Sequence, residues 1–243
     1  MKILFVSDHE ERQLYEHFDP ERWVGNVDLV ISCGDLRADY LSYLVTVLRV
    51  RLLYVAGNHD GRFHAQPPEG CDNIDGHLVR IGNLRIGGMA GSLRYNGGPE
   101  QFQYTSWEMR KKVWRLSRSI MRRGGVDLIV SHSAPHRCPL ATHQCLAPAG
   151  AGFPCTRLDL EGHPPVCPES TDPCHLGVPA YDAAIARWQP RWWVHGHNHL
   201  EYGQVPRLWW LGSTQVINAD GHIVLDTDMP VDDKDRGSLV RGR

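Results

Sequence analysis

Side chains that bind divalent cations occur in five short polar clusters along the chain. The clusters are SDHE at 7–10, CGDL at 33–36, GNHD at 57–60, SHSAP at 131–135 and GHNH at 196–199. Carboxylate and amide oxygens are ligands for hard divalent cations, and imidazole nitrogens also suit borderline ones. Two cations about 3.5–4 Å apart can generate hydroxide at neutral pH and neutralise phosphate oxygens during in-line displacement. If one site collects these clusters, its ligands are sufficient for two cations that share a carboxylate.

A short apolar run precedes each cluster, and helical patterns separate the runs. Such continuous runs are typical of strands that are covered on both faces. The predicted strands are Ile3–Val6, Asp28–Ser32, Leu52–Val55, Asp127–Val130 and Trp192–Val194. Helices are predicted over Tyr40–Arg49, Trp107–Arg123 and Pro179–Trp188, the last with proline at a favoured first position. This alternation predicts a layered α/β fold, in which ligands bind at the carboxyl ends of strands. The five clusters all lie at such ends.

Two further segments have the pattern of antiparallel hairpins. One lies within 77–98, where a glycine-rich loop follows the hairpin, and the other covers 207–226 with its turn predicted at NADG, 218–221. We therefore expect two mixed sheets in a single domain over 1–226, with a loop insertion at about 134–177. Residues 227–243 are charged and poor in large apolar groups, which predicts a flexible tail.

Composition limits the classes of function. The chain has 243 residues, a formal charge of −2 and a pI near 6.7, so no global basic field favours nucleic acid. No apolar run approaches the roughly 18 residues of a membrane span, and the first residues lack a signal-peptide pattern. We expect a cytoplasmic protein that does not contact a membrane. The basic segment 110–123 is interpreted as a solvated helix face, with RNA or DNA contact as the alternative. We interpret the tryptophans near the last sheet as core or subunit-interface residues, and the second interpretation would make the protein a homo-oligomer.

The order and spacing of the five clusters resemble the calcineurin-like metallophosphoesterases. The motif series of that family is D-x-H, G-D, G-N-H-[DE], H and G-H-x-H, and the resemblance spans residues 1–200. Segments 91–109 and 172–177 are similar to a bacterial subgroup with Asp-x-Glu in place of Asp-x-His. The resemblance implies a four-layer αββα sandwich with two mixed β-sheets. It also implies hydrolysis of phosphate mono- or diesters, with a diester or nucleotide favoured, by hydroxide held on two metals. The alternative is a metal-binding scaffold protein on the same fold with weak or no turnover.

The same resemblance assigns roles to individual residues. The implied metal ligands are Asp8 and His199 on the first cation, Asn58, His132 and His197 on the second, and Asp35 bridging both. His59 would protonate the leaving oxygen as general acid, since the pKa of histidine lies near the operating pH. Asp60 is expected to fix its loop or orient His59 rather than bind metal.

Position 10 departs from the family pattern, because the chain has His9 followed by Glu10. On an extended backbone Asp8 and Glu10 share a face and His9 points away, which predicts Glu10 as a ligand. His9 as the ligand, or loss of that ligand altogether, are the alternatives. With Glu10, three carboxylates meet two cations, and an oxygen-rich, more anionic site favours Mn²⁺, with Fe²⁺ or Zn²⁺ as alternatives. It should also raise the pKa of bridging water and shift the rate profile towards alkaline pH.

The insertion at 134–177 is rich in proline and contains five cysteines. They are Cys138, Cys145, Cys155, Cys167 and Cys174. A structural Zn²⁺ site, disulfides and unpaired thiols in a loop beside the site are all compatible with this composition. His175, just after this run, and Arg94, in a glycine-rich loop, are candidate substrate contacts because both side chains suit phosphate.

Overall fold

Two mixed β-sheets form the middle of the fold. The computed structural model describes residues 1–95, 101–137, 176–200 and 207–229. In these residues the strands are β1 (Lys2–Ser7), β2 (Leu29–Ser32), β3 (Leu52–Tyr54), β4 (Cys71–Asn73), β5 (Leu78–Ile81), β6 (Leu84–Met89), β7 (Ser92–Leu93), β8 (Gln103–Tyr104), β9 (Leu128–Ser131), β10 (Trp192–His195), β11 (Leu208–Leu211), β12 (Thr214–Asn218) and β13 (Gly221–Asp226). The first sheet has the order β13-β1-β2-β3-β4, the second β11-β12-β10-β9-β6-β5, and β7 pairs with β8.

Four α-helices in the described ranges flank the sheets. They are α1 (Pro20–Trp23), α2 (Ala38–Leu48), α3 (Ser106–Arg122) and α4 (Pro179–Trp188), and single 3-10 turns cover Arg12–Leu14 and Gly61–His64. The start of α3 is fixed by a capping box, in which Thr105 and Glu108 exchange side-chain-to-backbone hydrogen bonds. Proline occupies the first position of both α1 and α4, where its missing N–H costs nothing.

Alternate residues of the central strands face opposite layers. Ile3 and Phe5 of β1 pack between the sheets against residues such as Val130, whereas Leu4 and Val6 pack towards α1 and α2. In the second sheet the residues next to the inward positions, such as Trp193, pack against α3 and α4. This is the period of two expected of strands. The order helix, sheet, sheet, helix confirms the predicted four-layer sandwich with two mixed sheets.

The predicted turn at NADG was wrong. The hairpin in this region joins β11 to β12, and residues 218–221 instead carry the chain from the second sheet to the first. There β13 pairs antiparallel with β1, with Ser7 opposite Gly221. Polar, turn-forming residues indicate a change of direction, but they do not indicate which sheet edge receives the next strand.

Several predictions fall outside the described residues. They concern the five cysteines of the insertion, His175, and the tail from residue 230 onwards. Cys33 and Cys71, which are described, are both free thiols. Among the helices of the described ranges, none has the length and apolar character needed to cross a bilayer.

Candidate metal centre

In the described ranges, the carboxyl ends of eight strands lie at one edge of the two sheets. β1, β2, β3 and β4 run parallel in the first sheet, and β6, β9, β10 and β12 run parallel in the second. Backbone hydrogen bonds join the loops that follow them, including Asp8 N–H to the Gly34 carbonyl at 3.1 Å and Gly196 N–H to the His132 carbonyl at 2.9 Å. All five polar clusters therefore converge at this edge.

Two motif glycines allow this convergence because their neighbours leave no room for a side chain. A Cβ on Gly57 would lie 2.1 Å from Asp35 Oδ1, and one on Gly196 would lie 1.9 Å from Ser7 Oγ. Real Cβ contacts are not this short. The glycines of the GNHD and GHNH clusters thus let the loops approach the carboxylates of the neighbouring clusters.

Three of the predicted ligand residues have left-handed backbones. The φ angles are 63° at Asp8, 57° at Asp35 and 69° at His197. Such conformations cost on the order of 1–3 kcal/mol each in a non-glycine residue, and they concentrate at functional sites. They turn each side chain back towards the centre of the edge. The Asp8 carboxylate, for example, accepts the His197 backbone N–H at 3.0 Å.

A first group of candidate ligands consists of Asp35, His132 and His197, whose ligand atoms lie within 4.8 Å of one another. His132 Nε2 lies 3.2 Å from Asp35 Oδ2 and 2.9 Å from Asn58 Oδ1. The rings of His132 and His197 are 4.7 Å apart. His132 is fully buried, and His197 is only 3% exposed. Four of the predicted ligands therefore form one compact group.

The hydrogen-bond partners of His132 indicate that this group suits a cation. Its Nδ1 lies 2.8 Å from the Cys33 carbonyl, which can only accept, so Nδ1 carries a hydrogen. In a neutral ring Nε2 is then an acceptor, yet it faces two oxygen atoms. Three lone-pair donors pointing at one another are unfavourable unless a proton or a metal ion lies among them. The residues present therefore fit the divalent cation that the motifs imply.

Electrostatics at the group agree with this geometry. Burial alone lowers the pKa of His132, but the adjacent Asp35 carboxylate raises that pKa to about 9. Burial raises the pKa of the Asp35 carboxyl, and the charge on His132 more than reverses this, so the pKa of Asp35 lies below its usual value. Burial also raises the pKa of Asp8. The buried carboxylates thus require positive charge beside them.

Asp60 holds two of the loops together, which is the loop-fixing role expected of it. Its Oδ2 accepts the backbone N–H of Gly57 at 2.7 Å and that of Asp35 at 2.9 Å. Asp35 Oδ1 in turn accepts the His59 N–H at 2.8 Å. The His59 backbone is therefore fixed to the predicted bridging carboxylate, while its side chain lies on the exposed side of the loop.

A second group lies at the exposed side of the same edge and consists of His9, His199 and Asp220. Their ligand atoms also lie within 4.8 Å of one another. Asp220 Oδ1 is 2.9 Å from His9 Nδ1 and 3.5 Å from His199 Nδ1. Only His199 among these is assigned as a ligand by the resemblance, and sequence reasoning misses Asp220. Asp220 belongs to a polar cluster after an apolar run, and this pattern could have indicated a ligand. The cluster also has the composition of a turn, and from sequence alone we interpret it as one.

The remaining predicted residues lie beside these groups. Glu10 lies in neither group, and its Oε1 is 3.7 Å from Arg37 Nε. Arg94 Nη2 donates to the Gln103 carbonyl at 3.3 Å and lies 3.8 Å from Glu108. The neighbouring Tyr95 reaches the site, because its hydroxyl accepts from Asn58 Nδ2 at 3.2 Å. The roles of Glu10 and Arg94 stay predictions.

Comparison with known proteins gives matches at the level of structure. No protein-family model matches the chain, and no curated protein matches it. One crystal structure matches with a TM-score of 0.58 at 13% identity, over 93% of this chain and 94% of that chain. TT1561 of Thermus thermophilus matches with a TM-score of 0.54 at 13% identity, over 90% and 89%. A predicted phosphoesterase from Streptococcus pneumoniae matches with a TM-score of 0.36 at 15% identity, over 93% and 83%.

The two matches with TM-scores above 0.5 cover nearly the whole of each chain, so the likeness extends to the entire fold. At 13% identity this likeness concerns the fold alone. The layer order and the placement of all five motifs at one edge agree with it. The chain therefore shares with these two structures a fold in which two mixed sheets lie between layers of helices.

Proposed function

We propose that the protein is a divalent-metal-dependent phosphoesterase that hydrolyses phosphate diesters or nucleotides in preference to monoesters. The observation that carries the proposal is the buried group around His132, where a ring nitrogen faces the oxygens of Asp35 and Asn58. A structural ion pair would need only one of these oxygens. Three convergent donors on strained or tightly packed loops are typical of a cation site.

The residues that would hold the cations divide between two positions. Asn58, His132 and His197 would hold one, Asp8 and His199 the other, and Asp35 would contact both. Mn²⁺ is the metal we favour, because carboxylate and amide oxygens make up much of this ligand set. When bound, two such cations supply a nucleophile at neutral pH and neutralise the phosphate oxygens.

His59 is the proton donor in this proposal. The hydrogen bond from its backbone N–H to Asp35 Oδ1 places the His59 backbone beside the proposed ligands, and the side chain is exposed. An imidazole in this place can deliver a proton to the leaving oxygen of a phosphoester. Tyr95 and Asn58 form a hydrogen-bonded pair on the same side, so Tyr95 helps to fix the amide that faces His132.

Turnover of two chromogenic substrates tests the proposal. The protein is stripped with a chelator, reloaded with Mn²⁺, and assayed on bis-p-nitrophenyl phosphate and p-nitrophenyl phosphate. We expect Mn²⁺-dependent turnover with a higher kcat/KM on the diester. His59→Ala should lower kcat by about 10²–10⁴-fold, as loss of a general acid does. His17→Ala is the matched control, since His17 is also exposed and belongs to neither ligand group.

Two outcomes would contradict the proposal in different ways. Metal uptake without turnover on a broad panel of phosphoesters would favour the scaffold alternative. Turnover that survives both chelation and Asp35→Asn would show that the reaction does not use this site.

A further inference from the structure

The group at the exposed side of the edge arises from the crossing between the two sheets. Because β13 pairs with β1, Gly221 lies opposite Ser7, and Asp220 comes beside the residues that follow β1. His9 and Asp220 are 211 positions apart in sequence, yet their side chains are in contact. His199 of the GHNH cluster completes the group, and its ring centroid lies 4.9 Å from that of His9.

We propose that His9, His199 and Asp220 hold the second of the two cations, so that Asp220 supplies the carboxylate predicted at Glu10. This inference rests on the proposed function, and it identifies ligands that the motif series does not contain. It also gives a role to His9, which the alternation of an extended strand would point away from the site.

The distances in the group match those between ligands of one ion. Donors bound at about 2.0–2.2 Å to one cation lie about 3.0–3.5 Å from each other in tetrahedral or octahedral geometry. Asp220 Oδ1 lies 2.9 Å from His9 Nδ1 and 3.5 Å from His199 Nδ1. A cation beside all three atoms therefore needs little rearrangement of the side chains.

Asp220 is already oriented for this role. Its Oδ2 accepts the Leu200 backbone N–H at 2.7 Å, and its own N–H donates to Asn218 Oδ1 at 2.8 Å. These bonds turn Oδ1 towards the two imidazoles. The Asp220 side chain is 10% exposed, whereas that of His9 is 60% exposed and that of His199 is 46% exposed. The Asp220 carboxylate is thus the buried member of the group, and a cation would reach it from solvent between the rings of His9 and His199.

The backbone explains why His9 rather than Glu10 reaches the group. Alternation of side chains requires extended backbone, and Asp8 has a φ of 63°. The His9 N–H also hydrogen-bonds to the Ser7 carbonyl at 2.6 Å, which marks a tight turn. The chain therefore leaves the strand geometry at Asp8, and Glu10 is directed towards Arg37.

The charge at the site is the same whether Glu10 or Asp220 supplies the third carboxylate. Asp8, Asp35 and Asp220 are again three carboxylates around two divalent cations, and His9 adds a nitrogen ligand. The preference for Mn²⁺ argued from carboxylate number is therefore retained, although a nitrogen-richer second position brings Fe²⁺ and Zn²⁺ closer in affinity.

Anomalous diffraction and metal content test the inference without an activity assay. Crystals grown with Mn²⁺ should give two anomalous peaks, one beside His132 and one within about 2.0–2.3 Å of Asp220 Oδ1 and His9 Nδ1. In solution, equilibrium dialysis with Mn²⁺ should give two equivalents for the wild type. Asp220→Asn and His9→Ala should each weaken the second equivalent by at least about tenfold. Glu10→Gln tests the alternative ligand and should retain both equivalents, and His17→Ala is the matched control.

Other results would overturn the inference in recognisable ways. Two equivalents that survive Asp220→Asn and His9→Ala, or a second equivalent lost only in Glu10→Gln, would return the ligand role to Glu10. A peak bound to His199 but more than about 3.5 Å from Asp220 Oδ1 would make Asp220 a carboxylate that only orients the ring. None of these three results contradicts the proposed function. A wild-type protein that binds no cation would overturn both.

Discussion

Gly196→Ala should loosen the whole candidate metal centre through one methyl group. The added Cβ would lie 1.9 Å from Ser7 Oγ, at the end of β1, and 2.6 Å from Asp8 Oδ2, in the loop that follows. Gly196 does not have a left-handed φ, so alanine itself can adopt the backbone conformation. The effect is therefore one of space, and either the GHNH loop or Asp8 has to move.

The size of the effect follows from the contacts that this movement breaks. Overpacking a buried position costs about 1–3 kcal/mol, and losing the hydrogen bonds from His197 N–H to the Asp8 carboxylate costs about 1.5–3 kcal/mol. Replacing glycine offsets about 0.4–1 kcal/mol by restricting the unfolded chain. We expect the free energy of unfolding to fall by about 2–5 kcal/mol.

Urea unfolding with chelator present measures this loss, and a Mn²⁺ titration of the folded variant should show weaker binding. Gly61→Ala is the matched control, because its nearest neighbour is Gln101 Oε1, at 3.0 Å on a flexible side chain. If Gly196→Ala unfolds within about 0.5 kcal/mol of wild type and binds Mn²⁺ normally, the close approach of the two loops does not hold Asp8 in place.

Further substitutions measure the contribution of hydrogen bonds at the site and elsewhere in the fold. Asp60→Ala should cost about 2–5 kcal/mol, since it leaves a buried and a partly buried backbone N–H without an acceptor, whereas Asp60→Asn keeps an acceptor and should cost less in urea unfolding. Hydrogen bonds from Arg85 lower the pKa of Asp127, so this pair stabilises the fold above about pH 4 and is lost as the pH falls through the lowered pKa. The difference in unfolding free energy between wild type and Asp127→Asn should accordingly shrink in acid, and a constant difference would contradict this. Thr105→Ala removes the N-cap of α3 and should cost about 1 kcal/mol, with Mn²⁺ binding unchanged.

Local sequence patterns predicted most of the fold because the elements are strongly marked. The predicted helix over Pro179–Trp188 has the same bounds in the structure, since a proline starts it and another proline follows its end. The five strands that precede the polar clusters lie within a residue or two of their predicted bounds. Burial on both faces gives such strands uninterrupted apolar runs, and these are visible without knowledge of their neighbours.

The sequence did not reveal the features that depend on distant pairing or on a single backbone angle. Asp220 lies in a segment with turn composition, and only the pairing of β13 with β1 brings it beside His9. The choice between His9 and Glu10 depends on the left-handed conformation of Asp8, which an alternating strand pattern does not anticipate. Tyr95 likewise reaches Asn58 through a loop whose course the glycine-rich pattern did not define.

The pairing of β13 with β1 also affects how the protein is made. Ribosomal synthesis releases β1 first, but its antiparallel neighbour emerges more than two hundred residues later. Contacts so far apart in sequence form slowly, because long segments must be closed before they contribute. Asp8 and His197 are 189 positions apart, and His9 and Asp220 are 211 positions apart, so both contacts need the late part of the chain. A nascent chain that lacks β13 would therefore carry the early motifs without the partners that arrange them, and cation capture would come at the end of folding.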